Sequence, residues 1–223
     1  MSSALDPALD PNFASNPVPA APFRTRRSIT REQFLMREMR IVARLRLGGA
    51  DDDEIAQRAD SENIFQYPTP AMRGNIARAC LLRLNAMGPA HDQLARLIAF
   101  GQESQANQAN LYAMARAYDI VWEFLTRVVG LRYATLDYSL TAGDINVFLA
   151  DMQVDVPEYA AWSQSTLVKT RGVLRSALIH AGLVAGPRSE ELVPIFLDAE
   201  LEGAIRRNGD VQLLPAFNCL EVA

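Results

Sequence analysis

The sequence predicts an all-α, mainly helical protein, and three observations carry that prediction. Apolar residues recur at spacings of three and four through most of the chain. Capping residues and helix breakers stand where helices of that pattern would start and stop, as in Thr69–Pro70, Thr141 with Asp144, and Gly48–Gly49. Only two short stretches read as extended, the apolar run 192–197 and the tail from Val211. Hydrophobic residues make up 49% of the 223 positions and charged residues 22%, a soluble globular composition with a sizeable core.

Charge and cysteine usage narrow the function classes. A formal net charge of −4 argues against a protein that coats nucleic acid over its whole surface, but it leaves room for a local basic patch. Lys169 is the only lysine, so the cations are almost all arginine, the better bidentate donor to phosphate. Cys80 and Cys219 form neither a metal-ligand spacing nor a disulfide framework, which fits a reducing compartment. There is no basic start followed by an apolar run, and no stretch approaches the roughly 18 apolar residues of a membrane span. The expectation is a cytoplasmic protein without membrane contact.

Taken in order, residues 1–27 read as a proline-rich disordered tail, with Pro7, Pro11, Pro17, Pro19 and Pro22. Eight arginines between Arg24 and Arg46 then stand against only Glu32 and Glu38. This segment reads either as an electrostatic footprint for nucleic acid or as a solvated helix face; within it Arg24, Arg26 and Arg27 would form a flexible basic arm. Thr30 is expected to cap its helix, with Phe34, Leu35, Ile41, Val42 and Leu45 turned inward. Asp51–Asp53 open a short helix, the acids complementing its N-terminal dipole. After a connector, Thr69 and Pro70 start a longer helix that buries Ile76, Ala77, Cys80, Leu81 and Leu84 and carries Arg73, Arg78 and Arg83 on its other faces. Such a pair makes a helix-turn-helix-like unit, a pattern shared with ordinary bundle hairpins.

Residues 91–100 form another short helix, and 103–129 form a central core helix or helix pair in which Tyr118 and Trp122 are packing groups. A short helix at 132–138 and a helix from Thr141 to Met152 follow, the latter with a box-like Thr141/Asp144 start. These elements compose an N-terminal helical domain, 28–153. A C-terminal domain, 154–223, is centred on 162–184. There Ser163 or Ser165 caps the start, Gly182 ends the helix, and Leu167, Thr170, Leu174, Ala177, Leu178 and Ala181 share one stripe. Lys169, Arg171 and Arg175 lie on or beside the opposite face, with Ser165, Gly172 and Ser176. A helix, a turn at Gly186–Pro187 and an extended run at 192–197 have the order of a winged helix-turn-helix, with 162–184 as the groove-entering helix. The same face also fits a solvated amphipathic helix.

Catalytic patterns are missing. His91 and His180 have no zinc-like spacing, and the phosphate-loop, dinucleotide and nucleophile-elbow signatures do not occur. His180 reads as a surface or structural group at a helix end. The expectation is a protein that is not an enzyme and needs no cofactor, metal or small-molecule substrate.

The ordered segments REQFLMREMRIVARLRLGG, SENIFQYPTPAMRGNIARACLLRL, LYAMARAYDIVWEFLTRVV, YATLDYSLTAGDINVFLADM and WSQSTLVKTRGVLRSALIHAGLV resemble the BrxA family of bacteriophage exclusion (BREX) loci. The resemblance runs from about Ser28 to Ala216 and leaves out the N-terminal extension. It implies a helical, non-enzymatic DNA-binding component of a phage-defence system, with double-stranded DNA and other BREX proteins as partners. A likeness of that family to the antitermination factor NusB keeps RNA binding open. A third alternative is an adaptor subunit that contacts only protein.

Overall fold

The computed structural model describes residues 24–26, 28–30 and 33–220. Most of the proline-rich tail, including Arg27, therefore lies outside the described residues. The helices are α1 (Met36–Leu47), α2 (Asp52–Ser61), α3 (Pro70–Asn85), α4 (His91–Phe100), α5 (Glu103–Ala117), α6 (Asp119–Phe124), α7 (Leu131–Ala134), α8 (Ala142–Asp155), α9 (Pro157–Ala160), α10 (Gln164–His180) and α11 (Ala199–Arg207). A π-helical segment, Leu125–Gly130, joins α6 to α7, and a 3-10 segment, Val211–Phe217, closes the chain. Among the described residues there is no strand, only three isolated bridges, and no helix is long and apolar enough to cross a membrane.

Several starts follow from local chemistry. Asp51 accepts from the Glu54 N–H at 2.8 Å, and Thr69 accepts from Met72 ahead of Pro70. Thr141 and Asp144 make a reciprocal box, the Asp144 carboxylate accepting the Thr141 N–H at 2.7 Å. One expected start is displaced. Thr30 does not cap α1, which begins at Met36 after Leu35 takes a left-handed conformation at φ 52°. The carbonyl of Phe34 accepts from Arg83 at 2.8 Å and from Asn110 at 2.7 Å, so two buried side chains from α3 and α5 claim the group that would otherwise start an earlier turn.

The stretch 103–129 is a helix pair. Tyr118 is extended, and Thr25 pairs beside it: the Thr25 N–H donates to Ala117 and the Asp119 N–H to Thr25. The N-terminal segment thus supplies the hydrogen bonds that a continuous helix would lose there. α5 is buried almost throughout, and α1, α3, α4, α10 and α11 all pack on it.

The hydrophobic core is one cluster running from Ile29 to Phe217, and it crosses the expected boundary at 153/154. α8, α9 and α10 pack together, but beyond Asp198 the chain returns to α4 and α5 through α11, and the Val211–Phe217 segment packs on the π segment. That last segment docks as expected, burying Leu213, Leu214 and Phe217, but as a 3-10 helix where an extended tail was read. The run 192–197 is likewise reduced: Leu192 bridges Val184 and Glu191 bridges Ser139. Pro194 has no N–H to give a ladder, so pairing stops there.

Candidate nucleic-acid interface

α10 is built as its sequence suggests. Ser163 accepts from the Thr166 N–H at 3.3 Å, and Gly182 leaves the helix at φ 82°, a conformation that strains any side chain with a Cβ. Thr170, Val173, Leu174, Ala177 and Leu178 are buried, and the helix packs on α8 and α5. Ser165, Val168, Lys169 and Gly172 face outward. A Cβ added at Gly172 would meet nothing within 4 Å, so the surface beside Lys169 is open.

The three cations of this helix have different surroundings. Lys169 is exposed and has no ion pair among the described residues. Arg171 is half-buried and donates to the Asn146 side chain on α8 at 2.9 Å. Arg175 donates to the carbonyls of Pro187, at 3.2 Å, and Ser189, clamping the turn that follows the helix.

The remaining expected residues do not gather with them. Arg83 is fully buried: its guanidinium donates to the carbonyls of Phe34 at 2.8 Å and Gln33 at 2.7 Å, below the Tyr118 ring. It therefore offers no surface to a phosphate, because a cation taken into the core must spend its N–H groups on fixed acceptors. Arg73 pairs with Asp60 at 3.0 Å, tying α3 to α2, while Arg78 is exposed and bonded to Asn75. The basic arm is not free at Arg24 and Arg26. The Arg24 guanidinium lies 3.3 Å over the Trp122 ring, and burial pulls its pKa down. Arg26 meets Glu158 at 2.9 Å and Asp119 at 3.5 Å; the hydrogen bond holds Glu158 below its ordinary carboxylate range. Trp122 is a packing group, as read, and it is also the shelf on which Arg24 rests.

A different set of cations converges on a groove of about 660 Å³ between α1, the start of α5 and the end of α10. Arg37, Arg40 and Arg44 recur at helical spacing on one face of α1. They donate to the carbonyls of Phe65, Gly101 and Ala99 respectively, each at 3.2 Å. His180 lines the same groove and stacks on Phe34, with ring centroids 4.9 Å apart and planes 9° from parallel. Glu103 and Asn107 complete the polar lining. Sequence reading marked the arginine-dense segment but not which arginines would meet; the eight-residue run from Arg37 to Arg44 was the available signal. Nothing in sequence linked His180 to them.

The comparisons with known proteins agree with this architecture. The BrxA family model matches residues 26–209. The chain belongs to the BrxA family. Its relatives include a "BREX protein BrxA" of Bacillus cereus (strain H3081.97), 28% identical over 82% of this chain and 90% of that protein. A "BREX protein BrxA" of Escherichia coli O9:H4 (strain HS) is 29% identical over 81% of this chain and 84% of its own length. The fold is also similar to a crystal structure of an uncharacterized protein from Magnetospirillum magneticum, with TM-score 0.73, 21% identity, and coverage of 86% of this chain and 97% of that one.

Proposed function

We propose that this BrxA-family chain is a non-enzymatic component of a BREX phage-defence system that binds duplex DNA, mainly through backbone phosphates. The observation that carries the DNA reading is the outward face of α10. Lys169 stands there without a counter-ion among the described residues, beside the open surface at Gly172, on a helix that contains no acidic residue. Such a face lets a phosphate strand approach the backbone closely and be held by charge, orienting the protein without reading bases. In this reading α8, α9, α10 and the bridged turn after them act as a winged helix-turn-helix in a cytoplasmic protein. The role in BREX is supported by family membership and by relatives that carry the name BREX protein BrxA.

The test is fluorescence anisotropy with a labelled duplex at two salt concentrations. Lys169→Ala is expected to weaken binding and to lower the slope of log K against log salt by about 0.9, one phosphate contact. An unlabelled RNA competitor that displaces the duplex at equal concentration would turn the assignment toward RNA. A wild-type protein that binds no duplex even at low salt overturns it.

One observation favours the protein-adaptor reading. A groove of about 380 Å³ between the π segment, α7 and α8 has Leu131 and Val147 more than half exposed in its lining, with Arg127 and Asp151 beside them. If Leu131→Asp with Val147→Asp abolishes co-purification with other BREX proteins while duplex affinity is unchanged, the adaptor role exists beside DNA binding.

A further inference from the structure

We infer that the α1 groove is a second phosphate-holding site, in which Arg37, Arg40, Arg44 and His180 receive the continuation of the DNA backbone that passes Lys169. This rests on the DNA-binding reading above and adds a separate site to it.

The first argument is charge compensation. Several arginines of this chain that reach the surface are neutralised by a carboxylate. Arg26 meets Glu158, Arg46 meets Asp52, Arg58 meets Glu54 and Glu62, Arg127 meets Glu123 and Asp155, and Arg132 meets Asp137 and Asp144. Arg37, Arg40 and Arg44 form no ion pair among the described residues; each is anchored by a backbone carbonyl instead. A carbonyl takes one of the five N–H groups and fixes the planar fork without cancelling its charge. These are side chains held in place with donors left over, the condition under which an anion binds with little ordering loss.

The second argument is dimension. Positions 37 and 44 are separated by about 10 Å along the helix axis, at about 1.5 Å per residue. That exceeds a single phosphate and spans about three successive steps of one strand, at about 3.4 Å of axial rise each. A linear polyanion fits this row better than an isolated small anion.

The third argument is continuity. His180 is the last residue of α10, so the helix that presents Lys169 also delivers a side chain into the groove. The two positions lie about 16 Å apart along the axis, and the exposed or half-exposed positions between them include Gly172, Ser176 and Ile179. The stack on buried Phe34 fixes the plane of the imidazole. Glu103 is the one acid in the lining; it sets a repulsive limit at the α5 end and steers the strand toward α1.

The experiment compares Arg40→Gln/Arg44→Gln, Arg40→Lys/Arg44→Lys and Lys169→Ala with the wild-type chain. It uses anisotropy on a labelled duplex of about 20 bp between about 50 and 200 mM salt. The glutamine pair is expected to bind about tenfold more weakly, with the salt slope reduced by roughly 1.8 for two lost contacts. The lysine pair keeps the charge and is expected to keep the wild-type slope. If the glutamine pair matches wild type while Lys169→Ala weakens binding, the DNA reading stands and the groove is not part of it. If the lysine pair loses as much slope as the glutamine pair, the arginines act by holding the end of α4, and the inference falls. If wild type binds no duplex, both fall together.

Discussion

Arg116 and Arg40 are both helical arginines that donate to a backbone carbonyl of a neighbouring segment, yet they end in opposite electrostatic situations. Arg116, on α5, donates to the Ala86 carbonyl at 2.5 Å and also pairs with Asp210 in the core. Tyr112 donates to the same carboxylate at 2.6 Å, and Asn208 joins Tyr112 to the Met87 carbonyl. Burial, with the Asp210 charge beside it, pushes the Tyr112 hydroxyl far up, so it stays a donor. Gly88 completes the fit: at φ 66°, a Cβ there would lie 2.6 Å from the Arg116 guanidinium. Arg40 has its carbonyl, Gly101, but no carboxylate among the described residues. The difference is the counter-ion together with burial. An arginine that is buried or meets a carboxylate staples distant segments and its charge is spent; one that reaches the surface without a carboxylate keeps its field for a ligand.

That comparison can be broken most directly at the core. Arg116→Ala leaves Asp210 buried and unpaired, a situation that costs about 3–5 kcal/mol, read as a lower urea midpoint. If Arg116 is purely a staple, the salt slope of duplex binding by the folded variant is unchanged. Arg83→Met comes next. It removes a charged donor from two carbonyls, and the expected loss is about 3 kcal/mol in the same measurement, again with no effect on slope. A change in slope for either variant would remove the distinction between spent and free arginines.

Asp144 offers a smaller test at a surface pair. It accepts from the Thr141 N–H and hydroxyl and meets Arg132 at 2.8 Å, and those hydrogen bonds hold its carboxyl below the ordinary value. A depressed acid adds stability above its unfolded pKa of about 3.9 and loses it as pH falls through the lower folded value. Asp144→Ala should therefore cost about 1 kcal/mol near neutral pH, from the lost cap. The difference from wild type, followed by thermal melting, should shrink as the pH drops below about 4. The smallest effect is expected at Lys169, where Lys169→Ala shifts stability by no more than about 0.5 kcal/mol while weakening duplex binding. A large stability loss there would place Lys169 with the staples.

Local features were largely legible in the sequence. Thr69 and Thr141 cap where they were read, Ser163 is the one of the two candidate serines that caps α10, Asp51 heads the helix its acids were read to open, and the stop at Gly182 holds, because a cap is a contract between residues two or three positions apart. The site was legible only in part. Lys169 faces outward as its helical phase suggests, but Arg83, at equal standing in the pattern of α3, is buried. Arg175, also assigned to the polar face, instead clamps a turn. Periodicity reports which side of a helix is apolar; it does not report whether a carbonyl or carboxylate from elsewhere waits on the other side.

By itself, the sequence determined that this protein is helical, where most of its helices begin, and which family it belongs to. Only the tertiary structure decided which arginines are free. Arg26 finds Glu158 at 132 positions' remove and Arg116 finds Asp210 at 94, separations over which no local pattern carries information. Among the described residues, folding brings Arg37, Arg40 and Arg44 the backbone carbonyls of a connector and of the end of α4, and no carboxylate to pair with them. The same folding sets His180 beside them, and that meeting of α1 with α10 is written in neither helix alone.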